Sequence, residues 1–165
     1  MNYNKDTFFI TFTDSINDDK VKNFINVITN VINQHHPSQI YILFSSGGGG
    51  VNAGITLYNF LRAIPTEIVF HNIGIVGSVA ICVFLAGAKR YSSNNAHFLF
   101  HGIAWTFSQG ASHTRKQLNE FSSSLQQNEK DLADIIIGRT SIDLVEVISL
   151  FDQGESKGLD FTLKI

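Results

Sequence analysis

A single cysteine, Cys82, among 165 residues leaves no basis for a disulfide framework, and its place inside an apolar run fits a reducing compartment. Charge is also scarce: 16% of the residues are charged, the formal net charge is −2, and Lys and Arg nowhere cluster. Such a chain does not neutralise a phosphate backbone, so nucleic acid is not an expected partner. The longest apolar stretch, IGIVGSVAICVFLAGA at residues 73–88, carries Gly and Ser in its first half. It falls short of the roughly 20 apolar residues that a bilayer span requires, so no membrane association is expected. The opening residues, MNYNKDTFFITF, lack the basic-then-apolar order of a secretory leader, and a cytoplasmic location is the expectation. Only two prolines occur, Pro37 and Pro65, and each falls where a helical pattern must stop. With 44% apolar residues the chain is globular, and its length suits one domain, residues 1–165, with a substantial core.

The pattern along the chain alternates. TFFITFT at 7–13 is β-branched and aromatic, and so predicts a strand. Val21, Phe24, Ile25, Ile28, Val31 and Ile32 recur at helical spacing and predict an amphipathic helix over 18–34. IYILF predicts a second strand, Val51, Ile55, Tyr58 and Leu61 a helix face, and TEIVFHN a third strand. The run from Ser78 to Ala88 reads as a buried helix, KRYSSNNA as a loop and HFLFH as a strand. A long helix is expected over about 112–138, on Leu118, Phe121, Leu125, Leu132 and Ile136, and another over 141–151. Strand–helix alternation through the first 100 residues predicts an α/β fold of stacked βαβ units.

Three segments carry chemistry. FSSGGGGVNAG, at 44–54, joins the second strand to a helix through four glycines. It is not a P-loop, because no Lys and Ser/Thr follow the last glycine, and no frame through it gives the dinucleotide fingerprint. GIVGSVAICVFLAGAKRY puts Ser78 where a glycine-containing turn meets a helix start, near free N–H groups and the positive end of the dipole. Val76 and Ala80 replace the glycines of the G-x-S-x-G nucleophile elbow. NNAHFLFHG places His101 at a strand end before a glycine, with His97 on the same face. Taken singly, a serine opening a helix is more often a cap, and a histidine ending a strand more often a surface or satisfied residue.

Together the three resemble the caseinolytic (Clp) protease proteolytic subunit and its relatives in the ClpP/crotonase fold. The family's S-P-G-G-S-V-x-A-G corresponds to SGGGGVNAG, its A-S-M-G-A-x-L-L-x-A-G-A-K to GSVAICVFLAGAK, and its P-N-S/A-R-x-M-I-H to NNAHFLFH. The resemblance runs from the IYILF strand to GRTSIDLVEVI and implies an α/β fold of the ClpP/crotonase type with a long protruding helix. It implies Ser78 as nucleophile and His101 as base, His97 falling on a non-catalytic position. The N–H groups of Gly49 and Val79 would form the oxyanion hole, with Gly48 and Gly50 beside the bound peptide. The acid of the triad falls on Asp152 if SIDLV is matched to the family's S-L-E-x-I. Matching Thr140 instead puts that position at Gly154, and Glu155 is the neighbouring alternative.

The resemblance further implies a serine endopeptidase acting on polypeptide inside a ring-forming homo-oligomer. It calls for no metal and no cofactor, and any ATP use would come from a separate ATPase unfoldase. The GESKGLDFTLKI end is shorter than the family's. Two other readings stay open: an inactive ClpP-like paralogue that assembles with active subunits, and a crotonase-type acyl-CoA enzyme. Against the second, no Asp or Glu lies between Ile73 and Leu118, where its carboxylates would be sought.

Overall fold

In a computed structural model, residues 6–104, 107, 109–154 and 156–158 are described. Strand β1 (Thr7–Phe12) leads into helix α1 (Asp18–His35), β2 (Gln39–Ser46) into α2 (Val51–Ala63), and β3 (Glu67–Gly77) into the short α3 (Val79–Phe84). Then come β4 (Lys89–Ser92), β5 (His97–Leu99), α4 (Arg115–Arg139), α5 (Leu144–Gln153) and β6 (Ser156–Lys157). The sheet runs β1-β2-β3-β5-β6, with β4 also paired to β3. Every pairing is parallel except β5 with β6. Parallel neighbours need crossovers, and α1 and α2 supply the first two.

Local chemistry explains the helix ends. Asn17 Oδ1 accepts the Lys20 N–H at 3.0 Å and starts α1, with Asp18 and Asp19 favourable in its first turn. Thr114 and Gln117 cap α4 reciprocally as a capping box. His36 in the left-handed conformation ends α1 just before Pro37.

The core follows the pleat. Ile40, Ile42, Phe44 and Ser46 face the helices from β2, and Ile68 and Phe70 continue the layer in β3. Phenylalanines tie the layers together: Phe12–Phe44, Phe44–Phe70, Phe70–Phe84 and Phe84–Phe98 have ring centroids 5.6, 5.1, 5.8 and 5.4 Å apart. These separations are within the range of favourable aromatic pairs. The opposite face of the sheet leaves Phe9, Ile73, Ile75 and Tyr91 exposed.

The structure departs from the sequence-based expectations in several places, among them β5, which ends at Leu99 rather than at His101, and β6, which is not expected. KRYS is a strand rather than a loop, paired in parallel with Val69–Asn72; being short and polar, it has no pattern of its own. The helix expected over Ser78–Ala88 is only Val79–Phe84, and β3 runs on through IGIVG to Gly77, so the long apolar run breaks at Ser78. The buried face of α2 is Ala53, Gly54, Leu57 and Leu61, while Val51, Ile55 and Tyr58 flank it half-buried. Lastly, α4 is buried only at Leu132, Ala133 and Ile136, and Leu118 in its first half is exposed.

The turned face of α2 has a cause. Gly54 lets α2 approach α3 so closely that a Cβ there would stand 2.2 Å from Val79 Cγ2. Gly54→Val therefore overpacks the α2–α3 contact and should destabilise the protein by about 1–3 kcal/mol. For a chain of this size that corresponds to a melting midpoint lower by about 2–4 °C per kcal/mol in a thermal scan. An unchanged midpoint would show that the two helices can separate freely.

Candidate active site

Ser78 links β3 to α3 with φ 54° and ψ −135°. A non-glycine residue at such a φ is strained by about 1–3 kcal/mol and persists only where its surroundings hold it. They do so here. The Ser78 N–H donates to the Leu99 carbonyl at 2.9 Å, and all six side chains of α3 are buried. At the far end of α3, Arg139 Nε donates to the Leu85 carbonyl at 3.0 Å and its Nη2 to the Gly87 carbonyl at 2.9 Å. The G-x-S-x-G sequence is absent, yet the strand–serine–helix turn with strained backbone is the geometry that motif serves.

The glycine loop packs directly on this serine. Gly48 has φ +104°, and a Cβ on it would stand 2.6 Å from Ser78 Cβ and 2.8 Å from the Gly77 carbonyl oxygen. Only glycine fits there. On its other side the loop is held by Ile16, buried in the β1–α1 connection: the Ile16 N–H donates to the Gly48 carbonyl at 2.9 Å, and the Gly50 N–H to the Ile16 carbonyl at 2.8 Å. The peptide between Gly48 and Gly49 is planar and trans, so its N–H points opposite to its carbonyl, away from Ile16. The Gly49 N–H is thereby turned outward. Val79 opens α3, where the first N–H groups have no intrahelical acceptor.

Gly48 and Gly50, expected beside a bound peptide, have their backbone groups engaged within the chain. The Gly48 N–H donates to buried Ser46 Oγ at 3.2 Å, and the Gly50 carbonyl accepts the Gly54 N–H at 3.0 Å. Their contribution is room and shape rather than free hydrogen bonds. A cavity of about 400 Å³ opens beside the loop, between Gly49–Ala53, Asn17–Asp18, Ile103–Ala104 and Asn128.

His101 lies two residues beyond β5, exposed, with Nδ1 2.8 Å from the Gly102 carbonyl oxygen. A carbonyl only accepts, so the neutral ring carries its proton on Nδ1 and leaves Nε2 as an acceptor. Asp152 sits exposed in the last turn of α5, and the preceding residue, Phe151, accepts the Gly102 N–H at 3.0 Å. Gly102 and Asp152 line one cavity of about 370 Å³. The end of α5 is thus docked against the residue after His101. Among the described residues no hydrogen bond joins His101 to Ser78 Oγ or to Asp152. Glu155 lies outside the described residues.

Two residues that hold the glycine loop belong to none of the motifs: Ile16 and Ser46. Ile16 acts through its backbone N–H and carbonyl, and Ser46 through its buried hydroxyl.

Among the described residues no helix is long and apolar enough to cross a membrane, and no three His, Cys, Asp or Glu side chains gather as metal ligands. The Cys82 thiol is pushed up to about 12 by burial, which makes it a core residue rather than a second nucleophile. Iodoacetamide at pH 8 should therefore leave the folded protein unmodified, and modify Cys82 fully in denaturant. A carbamidomethyl adduct by intact mass under native conditions would contradict the burial of α3.

A family model described as Clp protease matches residues 2–154. One relative is the ATP-dependent Clp protease proteolytic subunit 1 of Leifsonia xyli subsp. xyli, 35% identical over 80 residues, covering 47% of this chain and 41% of that protein. Another is the subunit of the same name from Frankia casuarinae, 28% identical over 116 residues, covering 66% of this chain and 54% of that one. The chain thus spans about half the length of these relatives. In fold it matches a solved ClpP1 mutant from Listeria monocytogenes, with a TM-score of 0.80 and 17% identity over 92% of this chain and 83% of that one.

Proposed function

The chain belongs to the Clp protease family, a family of serine peptidases, and on that premise we propose that it is a serine endopeptidase with Ser78 as nucleophile. The observation that carries the reading is the Ser78 backbone. A strained serine at a helix start, packed against a glycine at which no Cβ fits, has no structural necessity.

In this reading His101 Nε2 accepts the Ser78 hydroxyl proton as Oγ attacks the scissile carbonyl. The outward Gly49 N–H and the free Val79 N–H donate to the oxyanion. The imidazolium then protonates the leaving amine, and water, deprotonated by the same ring, releases the acyl group and restores the serine. Asp152 is the acid that would orient the imidazole, taking Nδ1–H in place of the Gly102 carbonyl. Catalytic hydrogen bonds often tighten only in the substrate complex. The substrate is polypeptide, lying along the loop with side chains towards the cavity beside Gly49. We further propose a homo-oligomeric ring, with the exposed first half of α4 as a subunit contact, and a chamber served by a separate ATPase in the cytoplasm. The domain spans residues 1–165.

A second reading, a non-catalytic subunit assembled with active ones, is favoured by a single observation: His101 meets a carbonyl rather than a carboxylate.

A fluorophosphonate probe separates the two. The peptidase should gain one adduct by intact mass, absent in Ser78→Ala, and His101→Ala should slow labelling by about 100- to 10,000-fold. Asp152→Asn should slow it less, while leaving the protein folded. Assembled wild-type protein that takes up no probe would establish the non-catalytic subunit.

A further inference from the structure

Strand β3 serves two neighbours on one edge, pairing with β4 along Val69–Asn72 and with β5 along Ile75–Gly77. Between them its register breaks. Against β2, Phe44 pairs with Asn72 but Ser46 with Val76, so two steps along β2 match four along β3. Backbone groups in such a bulge lose their ladder partners and need others. Two side chains supply them. Asn72 Oδ1 accepts the Gly74 N–H at 3.0 Å; Ser45 Oγ accepts the Ile75 N–H at 3.1 Å and donates to the Ile75 carbonyl at 3.2 Å.

Asn72 also reaches across the sheet. Its Nδ2 donates to the His97 carbonyl at 3.1 Å, and its own carbonyl accepts the Ser93 N–H at 2.9 Å. It is fully buried, at 0% exposure, one of two buried polar residues among those described. Strand β5 is three residues long and is thus tied at both ends, by Asn72 at His97 and by the Ser78 N–H at Leu99. His101 follows two residues later. This part-buried bond is the side-chain tie to the start of β5, so removing the Asn72 amide would loosen the strand at its first residue.

We propose that Asn72 is a positioning residue of the peptidase site, holding β5 in the register that sets Leu99 beside Ser78 and so directs the segment carrying His101. The proposal rests on the peptidase reading. Asn72 touches neither nucleophile nor base. It acts through the strand between them, and therefore on the proton-transfer step rather than on substrate binding. Misplacing a catalytic group by 1 Å costs on the order of 100-fold in rate.

The test uses the full chain with Asn72→Ser, too short to reach β5, and Asn72→Asp, which as a carboxylate accepts from Gly74 but cannot donate to His97. Hydrogen exchange of the 97–101 amides and fluorophosphonate labelling of Ser78 are read on folded protein, with kcat and KM on a fluorogenic peptide. The 97–101 amides should exchange faster while those of β1 and β2 do not change. Labelling and kcat should fall about 10- to 100-fold with KM held within about twofold. A folded variant that labels at the wild-type rate overturns the proposal, as does unchanged exchange in β5. Failure of both variants to fold overturns it too, since Asn72 would then serve the fold alone. Wild-type protein that takes up no probe removes the peptidase reading itself, and this proposal with it, whatever the exchange shows.

Discussion

The burial of α3 on every side is the constraint on which the candidate site depends. A helix of six residues does not stand alone, because nucleation costs more than so few hydrogen bonds return. It stands here because Val79, Ile81, Val83 and Phe84 each lose their water, at about 1.5–3 kcal/mol for a large apolar side chain. That sum exceeds the strain of one residue at positive φ, so the turn at Ser78 is held by the core behind it. The arginine contacts with the Leu85 and Gly87 carbonyls fix the other end, where the helix dipole is negative and favours cations.

From that anchored helix the remaining parts are placed by backbone rather than by side chains. Gly48 packs on Ser78, Ile16 holds the glycine loop from behind, and the peptide plane between Gly48 and Gly49 directs one N–H outward. The Ser78 N–H binds the Leu99 carbonyl and so sets the strand that leads to His101. A loop made by main-chain contacts tolerates no Cβ at its tightest points. This explains Gly48 and Gly49, whereas Gly47 and Gly50 have room for a Cβ.

The histidine is held less firmly than the serine. Ser78 has the core beneath it, whereas His101 is exposed beyond a three-residue strand and docks on α5 through Gly102 and Phe151. The acid candidate belongs to that same α5 end. Half of the site is thus rigid and half rests on short elements, an asymmetry that suits a site completed by substrate or by a neighbouring subunit.

Much of this was legible from residue order. The strands around TFFITFT and IYILF, the amphipathic α1, the long α4, and the glycine–serine–histidine order of the motifs are all local patterns, and local patterns survive in one dimension. What the order of residues could not decide is where pairing is long-range. KRYS became a strand because β3 offered it an edge, and IGIVG stayed strand because β5 paired with it. The buried face of α2 turned because Gly54 met Val79. The conformation of Ser78 without its motif glycines, the outward turn of the Gly49 N–H, and the tie from Asn72 to β5 all came from contacts between segments distant in sequence. By itself, then, the sequence determined the α/β class and the candidate site residues, because these depend on composition and spacing. The tertiary structure alone decided how those residues face one another, because burial and hydrogen-bond satisfaction are properties of the packed chain.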